Sequence, residues 1–254
     1  MMFAKALLRA AAALLFTSAG SSLAAGEPAS CRETRFEGVT YSVCEARAGE
    51  DLRLFLRDGA GETLGSFSRI DQLLSAEGRS LRFAMNAGMY HADRSPVGLH
   101  IENGEEISPL VTAAGPGNFG MRPNGLFCIT PEGRFAIHES RDFGRERPAC
   151  RYATQSGPML VIDGDLHPRF LPDSSSRYTR NGVGVSADGG RAVFVISGSR
   201  VTFHQFARFF RDELGLPRAL YFDGNISRLY APGLGRNDFG FTMGPVIGLV
   251  GPAG

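Results

Sequence analysis

The sequence predicts an α+β fold, in which hairpin-rich mixed or antiparallel sheets are flanked by a few helices in a single compact domain. Short β-type runs alternate with turn signals through most of the 254 residues. Helical patterns are few, and no repeat, linker or low-complexity tract divides residues 25–254. We therefore expect one domain over residues 25–254.

The predicted hairpins are pairs of apolar runs that flank turn residues. In chain order they join residues 52–56 with 64–67, 97–101 with 106–110, 126–129 with 134–138, and 183–186 with 192–197. The second pair is separated by Asn103-Gly104, the strongest short hairpin signal. Because hairpins join neighbours that run in opposite directions, we expect much of the sheet to be antiparallel.

Two segments carry helical patterns. Residues 69–76 form a short one. The longer one begins at Thr202, which with Gln205 forms a capping box, and it ends at Gly215. Its aromatic stripe predicts a face that packs on the core. A buried strand over residues 218–222 is predicted to follow directly.

The first 24 residues are predicted to be a secretory signal peptide. Lys5 and Arg9 supply positive charge, residues 10–16 form a short apolar core, and small residues lead to a cleavage site near Ala24. A membrane anchor is the alternative, but a membrane span needs roughly 20 predominantly apolar residues. We expect a bacterial protein that is periplasmic or secreted, without a stable membrane anchor.

The net charge and the near absence of lysine argue against several classes of function. Removal of Lys5 and Arg9 with the leader takes the formal charge from +1 to −1, which gives no support to nucleic-acid binding. Lys5 is the one lysine of the sequence, so the mature domain has none for a Schiff base, a P-loop or a Ser–Lys dyad. Arginine, which suits phosphate and carboxylate, is its main cation. The oligomeric state stays open.

Four cysteines predict disulfides, because an exported chain with an even number of widely spaced cysteines usually pairs them. We favour Cys31 with Cys44 and Cys128 with Cys150, since both pairs close short local loops. A zinc site is the weaker alternative, because closely spaced ligand pairs are missing.

Two further motifs are considered and set aside. Residues 115–120 match G-x-G-x-x-G, yet no helix can follow directly, because Pro123 and Asn124 come next. His91, Asp93 and His100 could supply metal ligands, although a loop histidine beside an aspartate is more often solvated or hydrogen-bonded. We expect no metal and no cofactor.

A set of polar residues beside glycines marks the ends of the apolar runs. They are Asn86 with Gly88, Asn124 with Gly125, Gln155 and Ser156 with Gly157, Arg180 and Asn181 with Gly182, and Asp223 with Gly224. If the strands lie side by side, these residues surround one cleft, where amides and arginine suit sugar hydroxyls and phosphate oxygens. Glycine would let backbone N–H groups approach a ligand closely. For Asn124 and Asn181 a plain turn is the open alternative.

Four segments carry a resemblance to a known family. They are MNAGMY at residues 85–90, QSGPMLV at 155–161, RNGVGV at 180–185 and YFDGNIS at 221–227. In this order and spacing they resemble the phosphodiester glycosidase family over about residues 81–250, in a short bacterial exported branch. The family's first motif usually has Phe-Phe where this chain has Met89-Tyr90, and its last usually has two glycines where this chain has Asn225 and Ile226.

The resemblance implies a hydrolase that cleaves a sugar-1-phosphodiester of envelope or exopolysaccharide origin, with the sugar and aglycone unknown. It implies that Asp223 acts as base, nucleophile or oxocarbenium stabiliser and that Arg180 binds the phosphate. The substrate-binding residues that it implies are Asn86, Gly88, Asn124, Gln155, Ser156, Gly157, Asn181, Gly224 and Ser227. One alternative is a non-catalytic glycan- or glycophosphate-binding module in polysaccharide assembly. Another is a metal-dependent phosphodiesterase that cleaves the P–O bond.

Overall fold

The computed structural model describes residues 31–223 and 225–253. The signal peptide predicted over residues 1–24 and Gly224 of the predicted site lie outside the described residues. In chain order the strands are β1 (Cys31–Phe36), β2 (Val39–Arg47), β3 (Leu52–Phe55), β4 (Arg79–Asn86), β5 (His100–Glu102), β6 (Glu105–Ser108), β7 (Gly125–Ile129), β8 (Phe135–Glu139), β9 (Tyr152–Ser156), β10 (Met159–Ile162), β11 (Asp165–Leu166), β12 (Asn181–Val185), β13 (Arg191–Ser197), β14 (Arg218–Asp223), β15 (Leu229–Ala231), β16 (Arg236–Asn237) and β17 (Val246–Pro252).

Three short α-helices are present in the described chain: α1 (Phe67–Ser75), α2 (Ser140–Glu146) and α3 (Phe203–Arg208). A π-helical turn, Phe209–Glu213, continues α3, and a 3-10 turn spans Pro232–Leu234. The capping box predicted at Thr202 is present, because its hydroxyl accepts from the Gln205 N–H and the Gln205 side chain accepts from the Thr202 N–H. Helix α2 was not predicted from the sequence.

The described strands form three sheets, and every pairing between them is antiparallel. The seven-stranded sheet has the order β1-β2-β13-β12-β14-β10-β11. The two five-stranded sheets have the orders β16-β15-β4-β17-β3 and β6-β5-β9-β7-β8. With the three helices, this arrangement confirms the predicted α+β class.

The main core lies where the three sheets face one another. Its buried side chains come from all three, as Phe194, Phe83 and Phe127 illustrate, and the Phe194 ring contacts the other two at centroid distances of 5.4 Å and 5.8 Å. A second core packs α3 and the π-helical turn on the other face of the seven-stranded sheet. The aromatic stripe of that helix therefore packs on a core face, as predicted.

Most of the predicted hairpins are confirmed, and one is wrong. Asn103 and Gly104 join β5 to β6 with φ values of 51° and 85°, which is the geometry that an Asn-Gly hairpin turn requires. Residues 64–67 do not form the predicted strand, because Ser66 caps α1 by accepting from the Arg69 N–H. The serine at that position offers an N-cap that outweighs the β-type pattern around it.

Both predicted disulfides are confirmed. Cys31–Cys44 joins the paired strands β1 and β2, and Cys128–Cys150 links β7 to the segment before β9. None of the helices within the described ranges is long and apolar enough to cross a membrane.

Candidate active site

A buried pair of amides joins two of the sheets. Asn86 ends β4 and Asn181 begins β12, and neither is exposed to solvent. The Asn181 Nδ2 donates to the Asn86 carbonyl over 2.8 Å and to the Asn86 Oδ1 over 3.1 Å. Because buried amides need partners, this pair fixes the position of the two strand ends relative to each other.

The loop after β14 is attached to this pair. The Asn181 Oδ1 accepts from the Asp223 N–H over 3.2 Å and from the Ser227 hydroxyl over 3.3 Å. The Asn86 Oδ1 accepts from the Arg228 N–H over 2.9 Å. Ser227 also donates to the Asp223 carbonyl over 2.9 Å. The two amides therefore hold both ends of the loop over residues 223–228.

Asp223 lies half-buried at the end of β14, opposite Asn181 in the strand register. Its Oδ1 accepts from the Asn225 N–H over 2.9 Å. Tyr221 precedes Asp223 by two residues on β14, and the register with β12 shifts between them, because Asn181 pairs with Asp223 while Gly182 pairs with Tyr221. The negative charge of Asp223 adds to burial in raising the pKa of Tyr221.

Arg180 is completely buried beside Tyr221. Its Nε donates to the Val201 carbonyl over 3.0 Å, and its guanidinium carbon lies 3.6 Å from the ring centroid of Phe203. Burial lowers the pKa of this guanidinium. None of the ion pairs among the described residues involves Arg180.

Arg180 and Tyr221 share an unusual feature. The Arg180 Nη1 and the Tyr221 hydroxyl are both buried, and within residues 31–223 and 225–253 neither has a partner at full hydrogen-bond geometry, although the two side chains interact closely enough for each to affect the pKa of the other. The guanidinium carbon lies 5.4 Å from the Tyr221 ring centroid. Unpartnered buried donors are rare in folded proteins and call for a functional or structural explanation.

Ser156 and Gln155 are adjacent on β9 but serve different regions. The Ser156 hydroxyl donates to the Phe222 carbonyl over 2.9 Å, directly before Asp223. The Gln155 side chain instead binds the Val111 backbone and the Ser140 hydroxyl, at distances of 2.6–3.0 Å. Because successive side chains point to opposite faces of a strand, the structure brings Ser156 to Asp223 and turns Gln155 away from it.

Asn124, Gly157 and Gly88 lie where neighbouring segments of the chain pass very close to one another. The Asn124 Nδ2 donates to the Phe119 carbonyl over 2.7 Å. A Cβ on Gly157 would lie 2.6 Å from the Asn124 Cβ, and one on Gly88, whose φ is +106°, would lie 2.6 Å from the Thr154 Oγ1. These positions therefore accept glycine alone, because a side chain would collide.

The sequence pattern assigned no functional role to Tyr221 or Tyr90. Tyr221 could have been found from its spacing, because it stands two residues before Asp223 on a predicted strand. Tyr90 follows Gly88 and becomes relevant only through the fold, which places it where the charge of Asp223 acts on its hydroxyl. His100, one of the metal candidates, is buried, and its Nε2 lies 2.7 Å from the Glu102 Oε1.

Comparisons with known proteins agree with this architecture. The family model for phosphodiester glycosidases matches residues 79–242, which is more than half of the chain. The uncharacterized protein YigE of Escherichia coli K12 is 34% identical over 184 residues, covering 72% of this chain and 71% of YigE.

Two solved structures share the fold. The first is the auto-inhibited catalytic domain of zebrafish N-acetylglucosamine-1-phosphodiester alpha-N-acetylglucosaminidase, with a TM-score of 0.59 and 12% identity over 86% of this chain and 81% of that one. The second is a Burkholderia pseudomallei protein described as exported, with a TM-score of 0.52 and 12% identity over 83% of this chain and 74% of that one.

These matches place the chain among the hydrolases, with an antiparallel α+β fold. More particularly, the extent of the family match and the identity to YigE show that the chain belongs to the phosphodiester glycosidase family.

Proposed function

We propose that this chain hydrolyses a sugar-1-phosphodiester at the bond between the anomeric carbon and its oxygen. The observation that carries the proposal is the arrangement at the end of β14, where Asp223 is half-buried on the strand that carries Tyr221 and the guanidinium of the buried Arg180 lies 5.4 Å from the Tyr221 ring centroid. Membership of the phosphodiester glycosidase family supports the same reaction class.

The chemistry of the leaving group explains why one carboxylate is enough. Ordinary glycosidases use two, one of which protonates a poor leaving group. A phosphate monoester leaves far more readily, so acid assistance contributes less to the rate. Asp223 then serves as nucleophile, as base for water or as stabiliser of the oxocarbenium ion. Arg180 is fully buried, so in this proposal it supports the negative charge of the reaction through its field from inside the protein and does not contact the phosphate directly.

The remaining predicted residues act in this proposal mainly by positioning. Asn86, Asn181 and Ser227 hold the loop of Asp223 through its backbone, and Ser156 holds the Phe222 carbonyl next to it. Preorganisation of this kind matters, because a displacement of about 1 Å at a reacting group can cost about a hundredfold in rate. Gly88, Asn124 and Gly157 shape the backbone around these strands, and Gln155 supports the backbone at Leu99 and Val111.

We further propose that the substrate is an envelope or exopolysaccharide phosphodiester that the protein meets in the periplasm or outside the cell. Two disulfides support an oxidising compartment. The shared fold with a protein described as exported is compatible with that location.

Hydrolysis in water enriched in heavy oxygen tests the reaction class. The protein would be incubated with methyl phosphodiesters of several sugar 1-phosphates, and both products would be analysed by mass spectrometry. We expect the label in the sugar, because water attacks the anomeric carbon. The reaction should persist in the presence of a chelator.

Other outcomes of this experiment point to the other functions. Label in the phosphate, together with loss of activity on chelation, would identify a metal-dependent phosphodiesterase. Tight binding of the diesters without turnover would identify a glycophosphate-binding module. Either result would contradict the proposed hydrolysis.

A further inference from the structure

Tyr90 lies half-buried on the segment that follows β4. It forms an isolated antiparallel bridge with Pro96. Its ring lies so close to Gly244 that a Cβ there would stand 2.5–2.6 Å from three carbons of the tyrosine. Backbone pairing and ring packing therefore hold Tyr90 in one place, and its hydroxyl is a feature of this chain where the family motif usually has Phe.

Arg94 contacts this tyrosine, and Arg228 is held by Asn86, which lies four residues before Tyr90. The guanidinium carbon of Arg94 is 5.5 Å from the Tyr90 ring centroid, and its Nη1 donates to the Ala92 carbonyl over 2.9 Å. Arg228 has its backbone N–H bound to Asn86, and its guanidinium fits against Gly240, where a Cβ would collide with it. Both arginines are partly exposed.

The electrostatics tie these groups to Asp223. Burial and the charge of Asp223 raise the pKa of Tyr90, whereas Arg94 and Arg228 act in the opposite direction. A tyrosine phenol has a pKa near 10 even when unperturbed, so Tyr90 keeps its proton at neutral pH and can donate it in a hydrogen bond.

We propose that Tyr90, Arg94 and Arg228 form a phosphate subsite beside Asp223, which binds the phosphate of the sugar-1-phosphodiester. This inference rests on the proposed function. Two guanidiniums balance the two negative charges that meet there, one on Asp223 and one on the diester. Guanidinium and phenol donors match phosphate oxygens.

The proposed subsite differs from Arg180 in its exposure to solvent. Arg180 has no exposed surface, so its charge acts on the site from inside the protein, beside Tyr221. Tyr90, Arg94 and Arg228 keep part of their surface open to solvent. A phosphate that arrives from solvent therefore meets the outer pair of arginines first.

Binding of inorganic phosphate, measured by isothermal titration calorimetry, tests the subsite without requiring turnover. We expect Arg94→Gln and Arg228→Gln each to raise the Kd about tenfold, equivalent to about 1.4 kcal/mol. Tyr90→Phe should raise it about threefold, because it removes one neutral donor. Arg57→Gln is the matched control, since Arg57 is also a loop arginine whose Nη1 donates to a nearby carbonyl, that of Gly61, over 2.8 Å.

The outcomes separate this inference from the proposed function. Unchanged Kd values in Arg94→Gln and Arg228→Gln, an equal loss in Arg57→Gln, or no phosphate binding by the unmodified protein would each overturn the subsite. Among the described residues, the hydrogen bond and the ring contact of the Arg94 guanidinium are with Ala92 and Tyr90 of its own loop, so Arg94→Gln decides the question if Arg228→Gln fails to fold. Phosphate binding that depends on both arginines in a protein that hydrolyses no diester would support the subsite and refute the proposed hydrolysis.

Discussion

Strand β9 connects two regions that differ in how they use polar groups. At its Ser156 end lie Asp223 and the amide pair Asn86–Asn181, which is wholly buried and bonded to backbone. At its Tyr152 end a cavity of about 720 Å³ opens beside the Cys128–Cys150 disulfide. We call these the Asp223 end and the cavity end.

The cavity end contains charged side chains around a large volume, but these side chains are not held in fixed positions. Arg147 and Glu106 form a 3.5 Å ion pair whose side chains are 56% and 46% exposed, and such a pair contributes little. Arg151 is exposed and lies over the Tyr152 ring at 5.4 Å. At the Asp223 end the polar groups are fixed by buried hydrogen bonds. The comparison teaches that cavity size alone does not locate a site, since chemistry needs groups held in place.

The largest expected effect is the loss of turnover in Asp223→Asn. We expect kcat to fall about a thousandfold or more, because the variant keeps the shape and the Asn225 contact but loses the negative charge. Arg151→Gln at the cavity end should leave kcat/KM within about twofold. Steady-state kinetics with circular dichroism would check both variants. Full activity in Asp223→Asn would contradict the assignment of catalysis to the Asp223 end.

Removal of the Cys128–Cys150 disulfide should affect stability and leave chemistry intact. The bridge spans 22 residues, and closing such a loop stabilises the fold by about 3 kcal/mol. For the double variant Cys128→Ala/Cys150→Ala we expect the Tm to fall by about 10 °C, with kcat/KM at 25 °C unchanged. A specific loss of activity at unchanged Tm would show that the cavity end takes part in catalysis.

Substitution of two buried amide side chains, Asn181 and Gln155, should distinguish a residue that positions Asp223 from one that only stabilises the fold. Asn181→Ala and Gln155→Ala each remove several buried hydrogen bonds, so we expect each to destabilise the fold by roughly 2–3 kcal/mol. Asn181→Ala should also lower kcat about a hundredfold, because it releases the loop of Asp223. Gln155→Ala should keep kcat. Calorimetry and kinetics at 20 °C would test the pair, and equal losses of kcat would contradict the assigned roles.

The smallest expected effect is a pH dependence of stability due to His167. Burial, with a smaller effect of Arg169, lowers the pKa of His167 to about 4, whereas an unfolded histidine titrates near 6.5. Between these values the unfolded chain binds the extra proton, so stability falls as the pH drops from about 6.5 to about 4. We expect His167→Gln to reduce the loss of stability between pH 7 and pH 5 by about 1–2 kcal/mol in urea unfolding. An unchanged slope would exclude this histidine as the cause.

Local features of the fold could be predicted because neighbouring residues encode them. The Asn103-Gly104 turn, the Thr202 capping box and the strand ending near Asp223 all depend on contacts within a few residues. The strand predicted over residues 64–67 was wrong, because an N-cap at Ser66 outweighed its β-type composition. Helix α2 was missed, since its cap is the glutamate Glu139, whose carboxylate accepts from two backbone N–H groups.

The sequence alone predicted an α+β class with much antiparallel sheet, favoured the two disulfide pairs that the structure contains and marked the polar residues at the strand ends. Only the tertiary structure decided which of them meet. Asn86 and Asn181 are 95 residues apart and come from different sheets, and neighbouring Ser156 and Gln155 face opposite sides of one strand. Arg180 became buried because Phe203 and the Val201 carbonyl close over it. Local patterns set local geometry, whereas contacts between distant segments depend on how the sheets pack.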